Sequence, residues 1–310
     1  MGTPELAAHI LDRLAAAAAA DPRFTVVAVV TRPDEPRGRG LTPHPSAVAE
    51  VAARSNLPVL KPIKIRSPEF LAQIKSYNPD LIVVAAYGRI LPQSILDAAA
   101  IAPINVHASL LPRFRGAAPI EGAILSGDSQ TGITIMRVTA EMDAGPIILQ
   151  RAIPIASDDT QSSLKRKLAE LGADALLEAL DLYARATVTE IPQNEAFATY
   201  TRPISKDDSI IDWSADAARI ERMTRAFDPW PIARTRLGGD PLLIWRARVA
   251  AGPESSAAPG TLLAIRPEPI VRCGSGALAL CEVQAPGRRR MRASEFFNGR
   301  KVAPGARLGM

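Results

Sequence analysis

The chain has 310 residues, 47% hydrophobic and 22% charged, enough apolar material for two cores at roughly 100–200 residues per domain. That composition excludes wholesale disorder, no apolar run is long enough for a membrane-spanning helix, and two cysteines make no disulfide framework. The net charge of +5 is uneven: residues 1–185 hold 19 basic and 19 acidic side chains, whereas residues 186–310 hold 18 and 13.

The start, Met1-Gly2-Thr3-Pro4-Glu5, lacks the basic stretch and apolar core of a signal peptide, so a cytoplasmic location is expected. Residues 5–20 read as a helix ending in a run of six alanines, the strongest helix former. The β-branched run 24–30 reads as a buried strand, followed by a loop rich in Pro, Gly and Arg over 31–45. Helices are expected over 46–55 and 67–77, with a strand near 58–60 between them. Residues 80–86 form a second apolar strand, broken by Tyr87-Gly88, and short strands follow at 104–107 and 134–138. Asp158-Asp159-Thr160 supplies N-cap candidates for a helix carrying Leu164, Leu168, Leu171 and Leu180 to about residue 186. Strands alternating with helices predict a Rossmann-like α/β domain with a parallel sheet over residues 1–186.

The pattern then changes. Residues 187–208 are polar and proline-interrupted and read as a linker. A helix over 215–227 precedes five short strand-like runs between 232 and 284, separated by turn signals such as Gly238-Gly239 and Gly274-Ser275-Gly276. Residues 209–310 are therefore expected to form a small β-barrel. Cys273 and Cys281 flank one of those turns and read as small apolar residues of a hairpin, and Trp213, Trp230 and Trp245 read as anchors of this second core. The three histidines are scattered and no CxxC occurs, so no metal is expected. His9 reads as helix surface and His44 as loop.

Asn105 and His107 stand two apart in a strand and share a face. At the C-terminal end of a parallel strand that face borders the ligand crevice. An amide there can donate to a carbonyl oxygen, and an imidazole can donate or transfer a proton near neutral pH. Taken alone, such a polar strand end is more often structural. The segment Ser109-Leu110-Leu111-Pro112-Arg113-Phe114-Arg115-Gly116 follows at once, and Met142-Asp143-Ala144-Gly145 places one acid in a glycine-containing loop.

This block, together with Thr31-Arg32-Pro33-Asp34, Gly38-Arg39-Gly40, Ala86-Tyr87-Gly88 and Ile90-Leu91-Pro92, resembles the folate-dependent formyltransferase family over nearly the whole chain. Ile211-Asp212-Trp213-Ser214 and Phe227-Asp228-Pro229-Trp230-Pro231 resemble the branch that formylates methionyl-tRNA. Gly145-Pro146-Ile147-Ile148 is closer to the phosphoribosylglycinamide branch. The resemblance implies a formyltransferase domain followed by an OB-like barrel. It also implies transfer of a formyl group from 10-formyltetrahydrofolate to the free amine of methionine esterified to initiator tRNA, by a monomer that needs no metal. Asn105 and His107 would stabilise the oxyanion, and Asp143 would orient His107 and relay protons. Ser109, Leu110, Leu111 and Pro112 would line the folate site, with backbone of Ala86, Tyr87 and Gly88 beside the pterin. Arg39, and with it Arg37, would meet the acceptor stem, and the basic second domain would attract phosphates.

The family carries a strand before Gly2-Thr3-Pro4, so an interior strand is expected to be missing from this chain, pointing to a start further upstream or a damaged fold. Rivals with the same chemistry are a formyltransferase on a sugar-nucleotide amine and a 10-formyltetrahydrofolate hydrolase. A rival of another class is a non-catalytic tRNA- or folate-binding protein. An NAD enzyme is poorly supported, because no GxGxxG follows a strand.

Overall fold

The computed structural model describes residues 1–37, 42–251 and 256–309. Helix α1 (Glu5–Ala20) starts after Pro4 and buries Leu6, Ala7, Ile10 and Leu11 along one face. It leads into β1 (Val29–Val30), then into a hairpin of β2 (Glu35–Arg37) and β3 (Thr42–His44) within the stretch expected to be loop. Helix α2 (Ala47–Arg54) is capped by Ser46, whose hydroxyl accepts the Ala49 N–H at 3.1 Å. After β4 (Val59–Leu60), helix α3 (Pro68–Ser76) is capped by Ser67 with proline at its first turn, where a missing N–H costs nothing.

The stretch that positions the site begins at β5 (Leu81–Val84), passes the short α4 (Gln93–Leu96) and enters β6 (Ala102–His107). Then come β7 (Arg115–Gly116), α5 (Pro119–Ser126), β8 (Gln130–Arg137), β9 (Ile147–Pro154), the long α6 (Gln161–Ala184) and β10 (Tyr200–Thr201).

Two compact units result. The first comprises Met1–Pro119, Gln130–Pro154 and Lys165–Arg202, and the second Ile120–Ser129, Ile155–Leu164 and Pro203–Met310. The stretch 187–202, expected to be a linker, therefore runs within the first unit. Its backbone is tied there by the Ile147–Ile191 bridge and by β10 pairing in parallel with β7. Polar, proline-rich composition does not distinguish a free linker from a segment whose hydrogen bonds are satisfied by loops.

The central sheet of the first unit has the order β5-β6-β8-β9. Only β5 and β6 are parallel; β8 runs antiparallel to both β6 and β9. The parallel pairing expected of this domain is present in β5–β6, and the sheet continues antiparallel through β8 and β9. The stretch 138–146 is too short for a crossover and closes β8 on β9 as a hairpin. Helix α6 approaches this sheet at Gly172, where a Cβ would sit 3.3 Å from both Ile10 Cδ1 and Val106 Cγ1.

Strands β1 and β4 form a separate parallel pair. Among the described residues, Met1 and Gly2 are what lies between β1 and β5: Gly2 N donates to Val30 O at 3.0 Å, and Ala85 N donates to Met1 O at 2.9 Å. The terminal amine donates to Val83 O at 2.6 Å, and its burial pushes its pKa down to about 5. Next to these two residues is a cavity of about 320 Å³ lined by segments 23–30 and 77–83. The strand expected over 24–30 is therefore laddered only at Val29 and Val30, where it has partners.

In the second unit, α7 (Ala217–Ala226), capped by Asp216, precedes an antiparallel sheet. Its strands are β11 (Ala233–Leu237), β12 (Asp240–Ala250), β13 (Leu262–Ala264), β14 (Ile270–Arg272), β15 (Ala277–Gln284) and β16 (Met291–Arg292), followed by α8 (Ala293–Gly299). The order is β11-β12-β15-β14-β13, with β16 on β15. Bridges Leu237–Leu308 and Thr261–Arg307 tie the tail to both edges of the sheet. Trp213 is buried in this core, and its indole N–H donates to Thr235 Oγ1 at 2.9 Å. The other two tryptophans depart from the expectation of core anchors. Trp230 is 53% exposed, and Trp245 lies half-buried beneath the Arg290 guanidinium, 4.8 Å from the ring centroid. Cys273 is a buried free thiol at the hairpin turn, its pKa pushed up to about 11 by burial.

Candidate active site

Strand β6 alternates its side chains, and its last two odd positions carry Asn105 and His107. Its register against β5 sets Val84 opposite Asn105, so Ala85-Ala86-Tyr87-Gly88 and Ala108-Ser109-Leu110 leave neighbouring parallel strands at the same end. The third polar residue arrives from the loop between β8 and β9. Asp143 sits there at φ 52°, a left-handed conformation that Asp tolerates better than most residues. Gly145 passes so close to Arg137 O that a Cβ would overlap it, which fixes the path of this loop.

The three groups converge. Asn105 Nδ2 lies 3.5 Å from Asp143 Oδ1, and His107 Nδ1 lies 3.6 Å from Asp143 Oδ2. His107 is 6% exposed, and its Nε2 is 3.0 Å from Phe114 O. Phe114 itself has φ 61°, which bends the chain within the Pro112–Gly116 turn. Asp143 is 17% exposed and accepts a short bond, 2.8 Å, from the Gly116 N–H. The contacts of Asp143 with Asn105 and His107 are long by comparison, so both donors remain available to an oxygen placed beside them.

The stretch Ser109–Pro112 is held by its backbone. Thr134 Oγ1 donates to Ser109 O at 2.7 Å and accepts from Leu111 N at 3.1 Å and from Gln150 Nε2 at 2.9 Å. Gln150 Nε2 also reaches Leu111 O at 2.9 Å, and the Leu111–Pro112 peptide is cis. Ser109 is fully buried and donates to Arg113 O at 2.6 Å. Leu110 leans on Gly132, where a Cβ would stand 2.7 Å from its Cδ2. At the end of β5, Ala86 and Gly88 have φ 46° and 70°, and Arg32 Nη2 donates to Gly88 O at 2.6 Å. The Tyr87 ring turns away into a core cluster with Val30, Phe70 and Ile82, so only its backbone faces the strand end.

Arg37 ends β2 of the hairpin that leads into residues 38–41; Arg39 lies outside the described residues. Among the described residues, no group of three or more His, Cys, Asp or Glu side chains is placed to hold a metal ion, and no helix is long and apolar enough to cross a membrane.

Two residues beside the site escaped the sequence. Arg115 belongs to the conspicuous block but carried no assigned role; it is 2% exposed and ion-paired to Glu195 at 2.6 Å. Gln193 came from the supposed linker; it donates to Asp143 O at 2.8 Å and to Gly145 O at 2.7 Å. A lone glutamine in a polar stretch has no periodic or motif signal by which it could have been found.

Two family descriptions match the chain: Formyl transferase over residues 1–180 and Formyl transferase, C-terminal domain, over residues 203–301. Methionyl-tRNA formyltransferase of Roseiflexus castenholzii is 47% identical over 309 residues, covering 100% of this chain and 97% of that protein. The protein of the same name from Pseudomonas fluorescens is 44% identical over 311 residues, covering 99% and 95%. Among solved structures, the N-formyltransferase from Helicobacter canadensis in complex with folinic acid and dTDP-3-aminofucose is 16% identical with a TM-score of 0.66, covering 90% of this chain and 96% of that one. HypX from Aquifex aeolicus in complex with tetrahydrofolic acid is 21% identical with a TM-score of 0.58, covering 82% and 44%. At those identities the two structures are alike in fold.

Proposed function

The chain belongs to the formyl transferase family, and from that premise we propose that it moves the formyl group of 10-formyltetrahydrofolate to the α-amine of methionyl-initiator tRNA. The observation that carries this reading is the approach of both Asn105 and His107 to one carboxylate, Asp143, at 3.5 and 3.6 Å. An amide and an imidazole aimed at one point suit an oxygen that becomes negative as the amine attacks.

The neutral amine attacks the formyl carbon and a tetrahedral centre forms. Its oxyanion takes hydrogen bonds from Asn105 Nδ2 and from the Nδ1–H of protonated His107, whose Nε2–H is given to the Phe114 carbonyl. The bond from the formyl carbon to the folate nitrogen then breaks, leaving an amide on methionine and a tetrahydrofolate whose nitrogen regains a proton. That proton comes from the attacking amine, through water and Asp143. With Nε2 facing the Phe114 carbonyl, the His107 ring is held in one orientation. Ser109–Pro112 and the backbone of residues 86–88 form the donor side, leaving neighbouring parallel strands at the same end as Asn105 and His107.

We read the second unit as an OB-like barrel, from the sheet edges bridged by Leu308 and Arg307, and as the source of phosphate attraction. Arg39 and Arg37 are assigned to the acceptor stem. The setting is the cytoplasm, where charged initiator tRNA is used. The sugar-nucleotide and hydrolase readings lose ground because full-length relatives at 44–47% identity carry the tRNA name. The test is a formylation assay with charged initiator tRNA and 10-formyltetrahydrofolate. Turnover is expected from the parent and not from His107→Ala, with tRNA binding retained by both. Parental turnover by His107→Ala would overturn the site.

A further inference from the structure

We propose that Gln193 is a positioning residue for Asp143, held in place by Arg115; the inference rests on the active-site reading above. The Gln193 carboxamide uses both N–H donors on main-chain carbonyls of the Asp143 loop, at Asp143 O (2.8 Å) and Gly145 O (2.7 Å). Its oxygen accepts from Arg115 Nε at 3.1 Å and Nη2 at 2.8 Å. The guanidinium therefore dictates which end of the amide faces the loop, because it can only donate.

Arg115 is in turn fully engaged. Its remaining N–H groups reach Glu195 Oε1 at 2.6 Å, Glu195 Oε2 at 2.9 Å and Tyr200 OH at 3.2 Å, so all five donors have partners. The residue after it, Gly116, bonds Asp143 Oδ2 at 2.8 Å. One short segment thus grips Asp143 twice, through its carboxylate directly and through its backbone by way of Gln193.

Two features make this grip consequential. Asp143 sits at φ 52°, off the broad minima of an L-residue, so its carboxylate direction depends on neighbours that hold the peptide on either side. Its separations from Asn105 and His107 lie at the edge of hydrogen-bonding range, where a drift of half an ångström removes the interaction.

Gln193→Glu is the informative variant. It preserves an acceptor for Arg115 but removes both N–H donors and sets a carboxylate against two carbonyls. We expect kcat to fall about 10- to 100-fold, as for other orienting partners of reactive groups, with KM for tRNA and folate within about twofold. The thermal midpoint is expected to stay near the parent's. In an Asp143→Asn background the same change is expected to cost less than about twofold, because the two residues act as one unit. Parental kcat in Gln193→Glu beside a slow Asp143→Asn would overturn the positioning role and leave the active site standing, and so would a full multiplicative loss in the double variant. Parental turnover in Asp143→Asn itself would overturn both.

Discussion

The backbone N–H of Gly116 and the carboxylate of Asp143 are joined at 2.8 Å across 27 residues of sequence, well inside that carboxylate's separations from Asn105 and His107. Gly116 can make it because it sits at φ 106° with its Cα against Thr201 O, where a Cβ has no room. Gly116→Ala is expected to strain the β7–β10 pairing by about 1–3 kcal/mol and displace the N–H from Asp143. The checks are a lowered thermal midpoint together with a loss of kcat exceeding any change in KM. A variant as stable and as fast as the parent would remove the glycine from the argument.

Asn105 is assigned to the oxyanion, and removal of one such donor generally costs about 10²–10³ in rate. Asn105→Ala is therefore expected to lower kcat by about that factor and to leave KM for both substrates nearly unchanged. Steady-state kinetics decide the matter. A rise in KM with kcat preserved would make Asn105 a ground-state contact.

The candidate site was singled out by the family resemblance of the blocks that hold it, and the structure brings its three side chains together. Strand alternation puts Asn105 and His107 on one face, but that pair alone, like Asp143 in its glycine-bearing loop, reads as structural until the resemblance joins them. What holds them is not local. Gln193 and Glu195 reach the site through tertiary bonds to Arg115, and residue spacing carries no trace of such bonds. The run 24–30 shows a related limit: β-branched residues favour extended backbone, yet a strand exists only where a neighbour supplies the ladder, here at Val29 and Val30. The pattern of a buried strand likewise does not tell whether its partner runs up or down, and β8 runs antiparallel to β6 beside the parallel pair β5–β6.

The Arg115–Glu195 pair gives the protein a definite response to acid. Arg115 holds the Glu195 carboxyl below its usual value of 4.5. A carboxylate lowered in the folded state binds fewer protons there than in the unfolded chain. Its stabilising contribution is therefore complete above about pH 4.5 and is lost as pH falls through the lowered value. Glu195 is itself largely exposed, so the effect on global stability is small and salt-sensitive. Melting curves of the parent and Glu195→Gln are expected to differ at neutral pH and to converge on acidification. A gap that persists at low pH would assign the difference to something other than this charge.

The tRNA contact is tested separately from the chemistry. Arg39 belongs to a segment flanked by the β2–β3 hairpin, and Arg37 closes β2. A guanidinium can make bidentate bonds to phosphate, and each neutralised phosphate adds to the salt dependence of binding. Arg39→Glu is expected to raise KM for charged tRNA by tenfold or more, about 1.4 kcal/mol, while KM for the folate donor stays put. The slope of log affinity against log salt is expected to shrink by about one for each phosphate that is no longer neutralised. Kinetics at two ionic strengths measure both quantities. If Arg39→Glu raised the two KM values equally, or left the salt slope unchanged, recognition of the acceptor stem would have to be reassigned to residues 186–310, whose 18 basic against 13 acidic side chains are the remaining source of attraction.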